Sequence, residues 1–196
     1  MVNSSEKFNT VKNEVESYKN SRNTKVFIHV ARCNHLKNQG LLIDSFNKLD
    51  KENYDYSLLI IGREFDTANG RQLQAKANPK IRFLGEKNNV NDYLLCADAF
   101  CLSSIYEGLP ISLLEALSCG ITPICTPVGG IPDVIKDGEN GYLSKGLETD
   151  EYCTAIRRFI EKPVDKKLLI DFYKSNYSME VCAGKYEQYF KTIIND

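Results

Sequence analysis

Short apolar runs alternate with helical patterns along most of the chain, and this alternation constrains the fold more than any other feature. Five runs are rich in β-branched or aromatic residues and are bounded by Gly, Pro or Asn: 26–30, 57–61, 81–84, 97–102 and 121–125. Such runs predict strands buried on both faces of a sheet. Helical stripes separate them, at 41–49, 90–97, 112–119 and 131–135. The alternation predicts a parallel sheet with right-handed crossovers and helices on both faces.

The expected fold is therefore α/β: a Rossmann-like, three-layer α/β/α domain with a parallel sheet of five or six strands, over residues 24–178. The last part of the chain has helical patterns only, at about 150–161, 166–173 and 179–194, so we expect C-terminal helices. Residues 1–23 are polar, and the spacing of Val11, Val15 and Tyr18 allows one short helix. We interpret this segment as a linker or an appended helix outside the core.

Composition excludes several classes of protein. The chain has 196 residues, 26% charged residues and a net charge of −1, which suits one globular domain and predicts no nucleic-acid partner. No apolar run reaches the roughly 20 residues that a membrane span requires, so at most peripheral membrane contact is expected. The polar N-terminus has no apolar signal region, which favours a cytoplasmic protein. The seven cysteines have no CxxC spacing and predict buried free thiols, with no metal site.

Candidate phosphate-binding residues follow the predicted strands. In doubly wound sheets the ligand binds at the carboxyl ends of the strands. Arg32 follows the first strand and Lys37 stands at the start of the next helix, so the two cations form a natural phosphate pair. The alternative is that both are solvated loop cations. Gly129 and Gly130 form a turn that either brings N–H groups close to a phosphate or serves only as a turn.

Two carboxylates, Glu107 and Glu115, are separated by seven residues. Glu107 lies in a loop, and Glu115 lies in the helix that follows it. Ser112 and Glu115 fit a capping box, in which Glu115 only satisfies a helix N–H group. Pro110 favours a start one turn earlier, with Leu109 as the cap, and Glu115 is then free to face a ligand. Glu107 is either a functional carboxylate or an exposed loop residue.

The two histidines have different contexts. His29 lies inside the first strand and is interpreted as a core residue, whereas His35 lies in the loop between Arg32 and Lys37, where contact with a ligand stays open.

These segments together resemble the C-terminal domain of group 1 (family 4) retaining glycosyltransferases, the second half of a GT-B fold. The resemblance covers about residues 24–190. It is carried by VARCNHLKNQGLLIDSF (30–46), LLIIG (58–62), IRFLGEKNNVNDYLLCADAF (81–100), EGLPISLLEALSCGITPICTPVGGIPDVI (107–135) and DGENGYL (137–143). The run from residue 107 to 135, with its two spaced glutamates, is the most specific part.

The resemblance implies a role for each matching residue. Arg32 and Lys37 hold the donor diphosphate, assisted by N–H groups at a helix N-terminus formed by Leu109, Pro110, Ile111 and Ser112. Glu115 binds the ribose, and Glu107 sits by the transferred sugar as the candidate catalytic residue. The remaining base or sugar contacts are assigned to Gly62, Gly85, Glu86, Gly108, Gly129 and Gly130. The family is metal-independent and uses no cofactor, because the sugar nucleotide, here a UDP- or GDP-sugar, is a substrate.

The resemblance also implies a hexosyltransferase that needs an N-terminal acceptor domain, which this sequence does not contain. The acceptor is a glycan or a lipid-linked glycan, in polysaccharide or lipopolysaccharide assembly at the inner face of the cytoplasmic membrane. Residues 179–196 form a helix that packs on the missing domain, so the chain is an excised domain, a truncated reading frame or half of a split enzyme, with weak or no transfer alone. The alternative is a non-catalytic sugar-nucleotide-binding or docking module. An NAD-dependent enzyme is disfavoured, because no GxGxxG follows the first strand.

Overall fold

A computed structural model describes residues 4–194 of the chain, so residues 1–3 and 195–196 of the two predicted terminal segments lie outside it. Its strands are β1 Lys25–Val30, β2 Tyr56–Ile61, β3 Ile81–Gly85, β4 Ala99–Leu102, β5 Thr122–Cys125 and β6 Tyr142–Leu143. Its helices are α1 Ser4–Ser17, α2 Gln39–Lys51, α3 Ala68–Lys76, α4 Val90–Leu95, α5 Ile111–Ser118, α6 Ile131–Val134, α7 Thr149–Glu161, α8 Lys166–Tyr177 and α9 Met179–Ile194.

The strands form one parallel sheet in the order β3-β2-β1-β4-β5-β6. Helices α2, α3 and α7 pack on one face around Phe27, Phe46 and Phe159. Helices α1, α4, α5, α6 and α8 cover the other face around Ile28 and Phe100. Apolar strands buried on both faces thus produce the predicted three-layer arrangement, and the sixth strand completes the sheet.

One expectation about the N-terminal segment is wrong. Residues 1–23 were expected to lie outside the core, but α1 buries Val11 and Val15, which are 4% and 1% exposed, against the sheet. The predicted helix itself is confirmed. Its apolar spacing of four residues puts both valines on one face, and that face covers the sheet beside α4.

Helix α3 was not predicted, because the segment ANGRQLQAK is mostly polar and contains a glycine. Thr67 caps it by accepting a hydrogen bond from the N–H of Gly70. A Cβ atom on Gly70 would lie 2.3 Å from the carbonyl oxygen of Phe65, so glycine is required by close packing. Tertiary contact therefore explains a residue that local helix propensity disfavours.

The cysteines agree with the predicted free thiols, and the predicted helix at 179–194 is present as α9, while its packing on a second domain stays a prediction. All seven cysteines are free thiols, and five of them are buried. The last helix exposes Tyr186, Tyr189, Phe190 and Ile193. Within residues 4–194, no helix combines the length and apolar character needed to cross a bilayer.

Candidate functional site

The strand order reverses between β1 and β4, and the candidate site lies at this switch point. The two strands are neighbours, with Phe27 opposite Ala99 and Ile28 opposite Phe100. The segments that follow them, 31–38 and 103–110, therefore leave the same edge of the sheet side by side. This crevice is the place where open parallel sheets bind ligands.

Lys37 and Glu107 meet in this crevice. The Lys37 Nζ and Glu107 Oε1 atoms are 2.6 Å apart, and the Ser104 hydroxyl donates to the same Oε1 atom at 2.6 Å. Glu107 is 8% exposed and the Lys37 side chain 23% exposed. No hydrogen bond from a described residue reaches Oε2, which leaves that oxygen for a ligand. Glu107 is thus not an exposed loop carboxylate, and Lys37 is not a solvated loop cation.

Main-chain hydrogen bonds fix the position of this pair. The Asn34 side chain accepts from the N–H of Lys37 at 3.0 Å and caps a 3-10 turn over His35–Lys37. The Ser103 hydroxyl lies 3.0 Å from the Lys37 carbonyl oxygen, and the N–H of Ile105 donates to the Leu36 carbonyl at 2.9 Å. The segments after β1 and β4 therefore form one rigid unit around the charge pair.

Arg32 faces a different part of the crevice. It lines a cavity of about 620 Å³ together with Arg63, Lys87, Glu86, Gly62, Ile111, Val30, Ala31, Ile61 and Val90. Lys37 and Glu107 are not part of this lining. The lining combines three cations and one carboxylate with apolar residues, which suits a phosphorylated ligand with an aromatic portion. The structure therefore places Arg32 in the lining of this cavity and Lys37 outside that lining, and it shows no hydrogen bond or ion pair of the Arg32 guanidinium with a described residue.

A second hollow of about 540 Å³ continues from the first along the β2 and β3 edge. Gly62, Arg63 and Glu86 border both spaces, and Gly85 borders the second. A Cβ atom on Gly62 would lie 1.9 Å from the carbonyl oxygen of Ala31, so only glycine allows β1 and β2 to end this close together. Of the predicted base or sugar contacts, Gly62, Gly85 and Glu86 thus lie together.

Helix α5 begins beside the same cavity. Pro110 is the N-cap residue, one position later than the expected Leu109, and Ile111 is the first helical residue. The first N–H groups of a helix have no intrahelical partner and carry partial positive charge, so this end suits an anion. Leu109 is exposed here and Pro110 is buried.

The capping-box interpretation of Glu115 is excluded. Ser112 lies inside α5 and makes no side-chain cap, so Glu115 does not satisfy a helix N–H group. The Glu115 carboxylate is half-buried and receives no hydrogen bond from a described residue. Burial raises its pKa. A partly desolvated carboxylate without a hydrogen-bond partner lowers the stability of the fold. Its oxygens are available to accept a hydrogen bond from a ligand hydroxyl.

Gly129 and Gly130 pack against the segment that carries Glu107. A Cβ atom on Gly129, whose φ is +54°, would lie 1.7 Å from the carbonyl oxygen of Glu107. The N–H of Gly130 donates to the carbonyl of Gly108 at 3.0 Å. The two glycines therefore hold the Glu107 segment in place, and the Gly130 N–H is already paired. Their assignment to a ligand, and that of Gly108, stays a prediction.

His29 is a core residue, as predicted. Its Nδ1–H group donates to the carbonyl of Cys101 at 2.9 Å, since a carbonyl only accepts. Burial lowers the pKa of His29 to about 4, so the ring is neutral. Its Nε2 atom faces the amide nitrogen of Gln39 at 3.4 Å, and that amide also donates to the Arg32 carbonyl at 2.9 Å. His35, in contrast, is exposed.

Sequence reasoning missed Ser104, Arg63 and Lys87. The loops that hold them were expected at the site, but nothing in their local pattern separates them from solvated residues. Ser104 is buried only because β4 lies beside β1, and Arg63 and Lys87 share a cavity only because β3 pairs with β2. Within residues 4–194, no group of three or more His, Cys, Asp or Glu side chains is arranged to hold a metal ion.

Fold and site together define a doubly wound α/β domain with a charged crevice at its switch point. Comparison with known proteins makes the class specific: the family described as glycosyl transferases group 1 matches residues 11–178. The chain belongs to this family, as the sequence resemblance indicated.

Individual relatives agree with this membership. An N-acetyl-alpha-D-glucosaminyl L-malate synthase of Bacillus anthracis is 29% identical over 92% of this chain and 49% of its own length. The capsular polysaccharide biosynthesis glycosyltransferase CapH of Staphylococcus aureus is 35% identical over 85% of this chain and 46% of its own length. The chain thus spans about half the length of the curated relatives it matches.

Solved structures confirm the fold. A glycosyltransferase from Rickettsia africae superposes with a TM-score of 0.84 at 16% identity, over 96% of this chain and 52% of the other. Anabaena Alr3699/HepE, in complex with UDP and glucose, superposes with a TM-score of 0.81 at 17% identity, over 97% of this chain and 53% of the other. The predicted Rossmann-like half of a GT-B fold is therefore confirmed.

Proposed function

We propose that this chain is the donor-binding domain of a retaining hexosyltransferase and that it binds a nucleoside-diphosphate sugar between the ends of β1 and β4. The observation that carries the proposal is the 2.6 Å pair of Lys37 and Glu107 at the switch point, beside a cavity that Arg32 lines. Removing two charges from water is costly. A surface used only for docking has no need of such a pair.

The diphosphate binds to Arg32 and Lys37 and to the N-terminus of α5, around Leu109–Ser112. Arginine binds phosphate oxygens bidentately, lysine acts as a point charge, and the helix end adds N–H donors. When the bond between the sugar and the diphosphate breaks, both electrons go to the phosphate oxygen. The two cations and the helix end stabilise that charge, so the reaction needs no metal and no cofactor.

Two carboxylates bind the rest of the donor. Glu115 accepts hydrogen bonds from the ribose hydroxyls, for which its unpaired carboxylate is suited. Glu107 contacts the transferred sugar through Oε2 while Oε1 stays with Lys37 and Ser104. The base binds in the cavity that Gly62 and Glu86 border. The UDP in the Anabaena protein supports a uridine nucleotide, and GDP is the other candidate.

Transfer requires a second domain that binds the acceptor, because a single Rossmann-like domain supplies only one wall of a cleft. The acceptor is a glycan or a lipid-linked glycan. This part of the proposal is supported by relatives such as the Escherichia coli protein named UDP-Gal:alpha-D-GlcNAc-diphosphoundecaprenol alpha-1,3-galactosyltransferase, 26% identical over 73% of this chain. We propose the cytoplasmic face of a membrane as the place of this reaction.

Isothermal titration of the 196-residue chain with UDP, GDP, ADP and their sugars tests the proposal. We expect binding that is unchanged by EDTA and weakened in E115A, with weak or no sugar transfer. The absence of binding at millimolar concentrations would contradict the donor site. Binding that K37M and E115A leave unchanged would indicate a different site and favour the docking module.

A further inference from the structure

The segment 85–90, from the last residue of β3 to the first residue of α4, separates two hollows of the surface. On one side, Glu86, Lys87 and Val90 line the 620 Å³ cavity. On the other side, Asn88 and Asn89 line a hollow of about 520 Å³ whose opposite wall is α1. Helix α1 therefore lies behind the segment that borders the proposed nucleotide cavity, across this hollow.

Glu14 of α1 makes the polar contact that joins α1 to α4. Its Oε2 atom accepts a hydrogen bond from the Tyr93 hydroxyl at 2.8 Å, and its Oε1 atom accepts one from the Tyr18 hydroxyl at 2.9 Å. Tyr93 is 2% exposed. Burial and the Glu14 carboxylate raise the pKa of Tyr93, so its hydroxyl remains a donor at neutral pH. Glu14 of α1 therefore holds the hydroxyl end of the Tyr93 ring.

Lys87 rests on that ring. Its Nζ atom lies 5.3 Å from the centre of the Tyr93 ring, within the range of a cation–π interaction. The ammonium is thus held at the edge of the cavity instead of moving freely on its long side chain. The order of contacts runs from Glu14 to Tyr93 to Lys87, and Lys87 alone of the three borders the cavity.

We propose that Lys87 binds the base of the nucleotide and that Glu14 and Tyr93 are positioning residues for it; this rests on the proposed donor site. Lys87 and its neighbour Glu86 place a donor and an acceptor on one short segment. Uracil and guanine present a carbonyl oxygen beside a ring N–H group, which such a pair matches, whereas adenine has no carbonyl oxygen. Helix α1 thereby contributes to base selectivity without touching the ligand.

Dissociation constants for UDP, GDP, ADP and inorganic pyrophosphate, measured on the wild-type chain and variants, test this. For K87M we expect affinity for the better of UDP and GDP to fall about fivefold, with ADP and pyrophosphate nearly unchanged. E14A should show the same pattern. The double variant E14A/K87M should lose little more affinity than K87M alone, because the two changes disrupt the same interaction of Lys87 with the base.

The matched control is E16A, on the same helix. Glu16 pairs with Lys19 on the exposed side and lines neither of the two hollows, so its loss should leave all four constants unchanged. Y93F keeps the ring under Lys87 but loses the Glu14 hydrogen bond, so a smaller effect in the same direction is expected. It also replaces E14A if that variant does not fold, as judged by thermal unfolding.

Several results would overturn the inference. Equal losses for UDP, GDP, ADP and pyrophosphate in E14A would indicate general loosening of the domain. Additive losses of affinity in the double variant would show that Glu14 and Lys87 act independently. An unchanged K87M would remove Lys87 from the base site while leaving the donor site itself intact. If the wild-type chain binds none of the four compounds, the donor site fails, and this inference fails with it.

Discussion

Lys37 and Glu107 are separated by 70 positions in the chain, yet their side-chain atoms are 2.6 Å apart. The pair exists because β1 and β4 are neighbours in the sheet and because Asn34 and Ser103 fix the main chain on either side. A lysine held in this way is preorganised for an anion, since no side-chain entropy has to be lost when the ligand binds.

Replacement of Lys37 by Met should weaken nucleotide binding and lower stability together. We expect about a tenfold loss in affinity for the nucleoside diphosphate and a loss of about 2 kcal/mol in the free energy of unfolding, since Glu107 is left buried with Ser104 as its remaining partner. Titration calorimetry and urea denaturation measure the two effects. K48M is the control: Lys48 pairs with Asp150 at the surface, so both quantities should stay nearly constant. Similar losses in both variants would contradict the special position of Lys37.

Replacement of Gly129 by Ala should disturb the Glu107 segment. The added methyl group would lie 1.7 Å from the Glu107 carbonyl oxygen at a φ of +54°. We expect a loss of at least about 2 kcal/mol in the free energy of unfolding, together with weaker donor binding. Gly184→Ala is the matched control, because Gly184 lies in α9 with open space around its Cβ position. That variant should gain up to about 1 kcal/mol. Equal stability of G129A and wild type would contradict this close packing of Gly129 on Glu107.

Replacement of Glu115 by Gln should weaken nucleotide binding and raise the free energy of unfolding at neutral pH. Burial raises the pKa of Glu115, so the unfolded chain loses this proton at a lower pH than the folded protein does. Ionisation of Glu115 therefore lowers the free energy of unfolding as the pH rises from about 4 through the raised pKa. E115Q should be more stable than wild type at pH 7 and equally stable below that range. Its affinity for a nucleoside diphosphate should fall about fivefold, because a charge-assisted hydrogen bond to the ribose is lost.

Urea denaturation across this pH range, with titration calorimetry at neutral pH, measures both effects of E115Q. E139Q is the control, since Glu139 lies exposed in the turn before β6 and should show neither effect. A variant E115Q that is less stable than wild type at neutral pH would show that the carboxylate has a structural partner.

Replacement of Val15 by Ala tests whether α1 belongs to the core. Val15 is 1% exposed, so the loss of two methyl groups should lower the free energy of unfolding by about 2 kcal/mol. Urea denaturation measures this. Asn13→Ala, on the exposed side of the same helix, should change it by less than about 0.5 kcal/mol. A V15A variant as stable as wild type would show that α1 does not belong to the core.

Local patterns predicted most of the elements. The apolar run at 26–30 became β1 with one more residue, and the stripe at 179–194 became α9 with the predicted bounds. Helix α3 escaped prediction because its sequence has no clear apolar stripe and carries Asn69 and Gly70, which disfavour a helix, in its first turn. The assignment of α1 to the periphery was wrong for another reason. Two valines among polar residues do not show that the helix packs on an apolar face of the sheet.

The sequence by itself determined the fold class, the family and the edge of the sheet where ligands bind, because periodicity, turn residues and strand ends are local properties. Only the tertiary structure decided that Glu107 belongs with Lys37 and Ser104, that Glu115 is not a capping residue, and that α1 reaches Lys87 through Tyr93. These relationships depend on strand order and on which helix covers which face. Buried parallel strands have nearly the same apolar pattern whatever their neighbours, so the pairing is settled by long-range packing and not by local sequence.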